Sequence, residues 1–286
     1  MNKGKVKIIL IVIFIIGLFI LLYPAVSQYW NSFVQSSVVS DYDKLFANMK
    51  DKDYSEDFKK ADEYNQKLFS LKYPLAQYKK ISGYENLINV NNNGMMGYIS
   101  INKIKVEIPI YHGTGASVLN VAVGHLEGSS LPVGGKSTHS VLSAHRGLPS
   151  ARLFTDLNKL EVGDIFEITV LDRKLTYQVD QIRVVEPNNV SDLKIKKNED
   201  YVTLMTCTPY GLNTHRLLVR GKRIENIDDK KIYVTTEAFK ISNLVVAPVV
   251  ASPIILVLLL IVAFKPVNNK NTKLEDYLIK SIGGKK

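Results

Sequence analysis

The chain has 286 residues, 46% of them hydrophobic, and a formal net charge of +10 at pH 7. Its one cysteine, Cys207, excludes an internal disulfide. Most of the positive charge lies in the two terminal tails, and about +3 is left between them. The charge therefore reports membrane orientation, and no nucleic acid is expected as a partner.

Residues 1–7 form a basic tail with Lys3, Lys5 and Lys7. An uninterrupted apolar run follows, and residues 8–26 approach the roughly 20 residues that a bilayer span needs. A signal peptide is the alternative, with small residues at Ala25-Val26-Ser27. The run is longer than the usual signal core, which favours a retained anchor. Residues 27–93 begin the exterior portion. From Asp41 to Lys80 they are polar and helix-favouring, with Leu45, Phe46 and Met49, then Phe58, Ala61 and Leu68 at roughly helical spacing. Lys72-Tyr73-Pro74 breaks that pattern, and Asn91-Asn92-Asn93-Gly94 signals a linker.

From residue 94 to 226 the texture changes to short β-type runs bounded by turns. Gly97–Ile101, Val106–Tyr111, Ser140–Ser143 and Ile165–Val170 read as strands. Leu175–Val179, Ile182–Val185, Tyr201–Thr206 and His215–Arg220 complete the set. This spacing predicts a mainly β domain, an antiparallel closed barrel with short helices at its edges. A linker (227–243) leads to a second span, 244–264, which carries no charge. Pro248 and Pro253 within it are better tolerated in a membrane helix than in a soluble one. The tail 265–286 holds six lysines against Glu275 and Asp276. Basic flanks at both ends place both termini in the cytoplasm and residues 27–243 outside.

Cys207 is either an inert core residue, as free cysteines often are, or a reactive thiol. A thiolate is the nucleophile in cysteine chemistry. His145, after the strand ending at Ser143, could exchange the proton with Cys207. Arg216, always charged, could donate to a developing oxyanion. In a barrel three strand ends can converge although far apart in sequence. His112 and His125 fall in loop-like segments and His139 lies just before a strand. His215 alternates to the face opposite Arg216. None has metal-ligand spacing with another ligand. No phosphate loop is present, and neither metal nor cofactor is expected.

Thr203-Leu204-Met205-Thr206-Cys207 matches the T-L-x-T-C signature of the sortases, the cysteine transpeptidases of Gram-positive cell surfaces. His145 and Arg216 match that family's histidine and arginine. Pro109–Thr114, Gly124–Gly128, His145–Ser150, Leu153–Leu157, Cys207–Gly211 and Asn213–Arg216 resemble the class C, pilin-polymerising branch. The resemblance covers roughly residues 94–224, and a second membrane span is typical of that class. It implies a sortase-type barrel between two transmembrane helices, in the cell membrane of a Gram-positive bacterium with the catalytic domain outside. It further implies catalysis by Cys207, His145 and Arg216. The implied partners are membrane lipid and pilin proteins bearing an LPxTG-like sorting motif and an acceptor lysine. A housekeeping-type sortase acting on cell-wall peptide, or a non-catalytic pilus-holding domain, is the alternative. Class C members usually carry a lid with an Asp-Pro-aromatic motif. This chain has no Asp-Pro, and within 64–78 only Tyr73-Pro74-Leu75 is analogous. Any closed state is therefore expected to be only weakly favoured, with the site substantially open at rest.

Overall fold

The computed structural model describes residues 3–48, 52–89 and 92–226. The predicted second span and the tail after it lie outside these. The chain up to Tyr23 forms a unit apart from the one that starts at Pro24. The first helix, α1 (Lys3–Asn48), includes both the apolar run and Pro24. Among the described residues it is the one helix long and apolar enough to cross a membrane.

After Pro24, α1 turns Ala25, Gln28, Asn31, Gln35, Val39 and Tyr42 toward the barrel, a stripe repeating every three or four residues. Tyr42 fixes its far end, since its hydroxyl accepts from Leu171 N (2.7 Å) and donates to Met96 O (3.3 Å). The second helix, α2 (Ser55–Phe69), starts where Asp53 accepts from Ser55 N at 2.8 Å, relieving a donor that has no partner in the first turn. It buries Phe58, Ala61, Tyr64 and Leu68. Asn65 clamps Leu131, giving an N–H to its carbonyl and accepting from its amide. The short α3 (Pro74–Gln77) follows, with proline at its first turn, where no N–H is needed.

Eight strands then close a barrel. They are β1 (Met95–Ile101), β2 (Val106–His112), β3 (Val123–His125), β4 (Thr138–Ser143), β5 (Ile165–Val170), β6 (Arg173–Val185), β7 (Asp200–Thr208) and β8 (His215–Arg223). The order around the barrel is β1-β2-β3-β4-β7-β8-β6-β5. The closed mainly β barrel matches the expectation from sequence, but its strands are not all antiparallel. The pairs β2–β3 and β4–β7 run parallel. A parallel pair needs a crossover; that of β2–β3 carries the short α4 (Ala116–Leu119). Two predicted strands are the single β6, whose register slips between Val179 and Gln181. The bulged Asp180 instead holds Arg220 of β8 at 2.8 Å.

Two apolar clusters divide the strand faces. Val202 and Leu204 of β7 join Leu217 and Val219 of β8 in the main core. On the outer face Val141, Leu193 and Leu218 form a smaller cluster, packed against Leu75, Leu126, Val185 and Met205.

His112 and His125, expected in loops, and His139, expected just before a strand, are strand residues. His112 ends β2, His125 ends β3 and His139 lies within β4. Tyr84 donates to His125 Nδ1 and Nε2 faces Ser130 O, both at 2.8 Å. His139 Nδ1 faces Lys194 O at 3.0 Å, and Nε2 faces Thr203 Oγ1 at 2.7 Å. Each neutral ring thus has one donor and one acceptor satisfied. Burial pulls both down from the ordinary 6.5 to about 4, against the upward effect of those backbone carbonyls. Between these values the unfolded chain binds protons that the folded chain refuses. Stability is therefore complete above 6.5 and falls as pH drops toward 4, by up to about 3 kcal/mol for each histidine. Ring signals of both residues in NMR should stay untitrated down to about pH 5. Titration near neutrality would show that burial does not control them.

Candidate active site

The site is built at one end of the β4–β7–β8 stretch. Cys207 on β7 lies directly opposite Arg216 on β8, and Arg216 lies opposite Val185 on β6. Residues paired in this way share a face, with Cβ atoms about 5 Å apart. Cys207 alternates in step with Met205, and Arg216 with Leu218, so both lie on the outer face beyond the smaller apolar cluster.

His145 arrives from the other side of β7. Ser143 is in register with Met205, Ala144 N donates to Met205 O (3.2 Å), and Thr206 Oγ1 donates to Ala144 O (2.8 Å). The next residue on each chain is His145 and Cys207. All three residues singled out in the sequence are half-buried, accessible at the surface without being loose on it.

A second layer of bonds fixes this junction. Arg146 donates through Nε to Thr155 O (3.2 Å) and through Nη1 to Thr208 Oγ1 (3.1 Å). It therefore ties the residue after His145 to the residue after Cys207. Gly147 N donates to Thr155 Oγ1 at 3.1 Å, and Phe154 N donates to His145 O at 3.1 Å. Gly147 has φ +80°, and a Cβ there would meet the Tyr210 ring at 2.7 Å. The Pro209-Tyr210-Gly211 turn thus packs against the histidine segment. Sequence reasoning missed Arg146 and Thr155, because an arginine and a threonine in a loop carry no mark of what they bridge.

Arg216 Nη1 donates to Asn213 O (3.2 Å) and His215 O (3.1 Å). These bonds set one edge of the guanidinium, and among the described residues no carboxylate pairs with it. A planar fork with donors to spare, opposite a thiol, can hold a carbonyl oxygen through two directed N–H bonds. The thiol supplies a nucleophile and the imidazole a group able to carry a proton in either direction.

The segment after α2 crosses the neighbouring outer face. Gly128 has φ +85°, and a Cβ there would lie 2.7 Å from Leu75 Cα, so this glycine is what lets the α3 backbone approach. Leu75 packs in the outer cluster beside Met205, whereas Tyr73 is 58% exposed. Of Tyr73-Pro74-Leu75, it is Leu75 that packs against the outer cluster. Tyr73→Ala should therefore change the rate at which a small thiol reagent labels Cys207 by less than about tenfold. A hundredfold acceleration would reveal a tight closure through Tyr73.

The family model described as "Sortase domain" matches residues 99–224. Sortase D of Bacillus subtilis (strain 168) is 30% identical over 131 residues, which are 45% of this chain and 63% of that protein. The chain thus spans less than two thirds of that relative's length. The crystal structure of sortase C1 from Streptococcus agalactiae is 50% identical, with a TM-score of 0.63 over 67% of this chain and all of the other. Sortase C of Streptococcus pneumoniae, a structure described with insights into pilin substrate specificity, is 45% identical. Its TM-score is 0.60, covering 66% of this chain and 97% of the other.

Proposed function

The chain belongs to the sortase family, and we propose that it is a membrane-anchored cysteine transpeptidase that polymerises pilin subunits. Cys207 Sγ attacks the backbone carbonyl of an LPxTG-like sorting motif near the end of a pilin. A C–S bond forms and the carbonyl becomes a tetrahedral oxyanion, which Arg216 holds. The peptide C–N bond then breaks, and His145 gives the leaving amine its proton. A lysine amine of the next pilin attacks the thioester and yields a proton to His145. The new C–N bond replaces C–S and the thiolate returns. Water in place of the lysine would end the cycle in hydrolysis.

The observation that carries this reading is the pairing of Cys207 with Arg216, with His145 entering beside the same strand end. The two spans of the sequence are taken as membrane anchors, with the barrel outside and both termini in the cytoplasm. The likeness to the two sortase C structures favours pilin over cell-wall peptide as acceptor. The test is to incubate the full-length protein with a candidate pilin and analyse Cys207 by mass for the acyl adduct. Loss of the adduct on adding acceptor lysine, with a linked dimer formed, is the expected result. An unmodified Cys207 with every pilin tried would overturn the proposal.

A further inference from the structure

Beyond Pro24, α1 presents two unlike faces. Toward the barrel, Asn31 Nδ2 donates to Ser150 O at 2.8 Å, Ser27 Oγ to the same oxygen at 3.5 Å, and Gln28 Nε2 to Pro149 O at 3.2 Å. One to two turns further, Gln35 Nε2 donates to Val121 O at 2.7 Å. The loop that leaves His145 is therefore held by its carbonyls on this helix. The other face is apolar and uncovered. Val26, Tyr29, Trp30 and Phe33 are 63%, 70%, 64% and 60% exposed. The Trp30 and Phe33 rings lie 6.4 Å apart. After Val34 the exposed face changes to Ser36, Ser37, Ser40, Asp41, Asp43 and Lys44. A contiguous apolar patch that stops this sharply marks a partner with an edge.

The sequence says where that edge falls. Counted from Ile8, the roughly 20 residues of a bilayer crossing end near Ser27. Tyr29 and Trp30 rise about 3 to 5 Å further along a helix. That lies inside a headgroup layer of about 5 to 7 Å on each side of the hydrocarbon. Tyrosine and tryptophan, with apolar bodies and polar tips, concentrate in this layer. We propose that the outer headgroup layer of a phospholipid bilayer covers the Val26–Trp30 face, with Phe33, about 9 Å along the helix from Ser27, at its outer rim. The segment from His145 to Ser150, docked on the reverse side of the same turns, then rests at the bilayer surface. This rests on the anchored reading above, but it concerns depth and not chemistry. A sorting motif would be engaged where it emerges from the membrane.

Trp30 is the only tryptophan of the chain, so the intact protein carries its own depth reporter. The full-length protein is reconstituted in phosphatidylcholine–phosphatidylglycerol vesicles containing lipid spin-labelled either on the headgroup or near the end of the acyl chain. The headgroup label should quench Trp30 at least about twofold more strongly than the deep label, with acrylamide in the water a poor quencher. Strongest quenching by the deep label, or quenching by acrylamide alone, overturns the proposal. Protein that does not float with the vesicles overturns it together with the anchored reading. A second variant, Trp30→Phe with Pro149→Trp, moves the reporter to the loop. The headgroup label should quench it too, and no quenching from lipid would lift the loop off the bilayer even with Trp30 interfacial. Neither arm reads transpeptidation, so inactivity of a correctly seated protein would count against the catalytic reading alone.

Discussion

Replacing Cys207 with alanine is expected to abolish both the acyl adduct and pilin polymer while the barrel still folds. The thiol is half-buried near the end of β7 and belongs to neither apolar cluster. Its removal leaves a methyl group and no unsatisfied buried partner, so the stability cost should be within about 1 kcal/mol. The kinetic cost is of another order. Without the sulfur no covalent intermediate can form, and loss of a nucleophile acting as part of a unit costs on the order of 10⁴-fold or more. Polymer yield and thermal unfolding measured on one preparation separate the two effects. Undiminished polymer from a folded Cys207→Ala protein would end the enzyme hypothesis.

Arg216→Lys is the second large effect. Lysine keeps the charge but loses the planar fork, and its ammonium cannot make the two Nη1 bonds to Asn213 and His215 while directing further donors at an oxyanion. Formation of the acyl adduct should slow on the order of 10²-fold, as when one oxyanion donor is removed. Single-turnover labelling of Cys207 by substrate measures this directly. The reactivity of the thiol toward a small alkylating reagent serves as control and should change far less. Near-normal acylation would mean that Arg216 only shapes the loop and that backbone amides hold the oxyanion.

The sequence made the barrel visible through short β-type runs bounded by turns, and in Ile165–Val170 every second residue is buried as alternation requires. The candidate residues Cys207, His145 and Arg216 stood out through residue types that chemistry demands and a specific motif, and the fold brings Cys207 and Arg216 opposite each other. Partnership between strands was not visible. Nothing local in Ser140–Ser143 says that it runs parallel to a strand some sixty residues later, because the register is fixed by tertiary packing. Asp180 looked like a break between two strands, and its pairing with Arg220 explains why β6 continues through it. Tyr73 drew attention as an aromatic beside proline, yet which neighbour of Pro74 turns inward depends on Gly128, which lies more than fifty residues away.

The docking of α1 has a consequence for how substrate finds the enzyme. Asn31 and Gln35 grip the barrel at one level and Tyr42 at another, and eleven residues of helix separate Asn31 from Tyr42 by about 16 Å. Held at these two levels, the helix after Pro24 and the barrel belong to one unit before any substrate arrives. The loop that leaves His145 is thereby ordered during folding and not at each encounter.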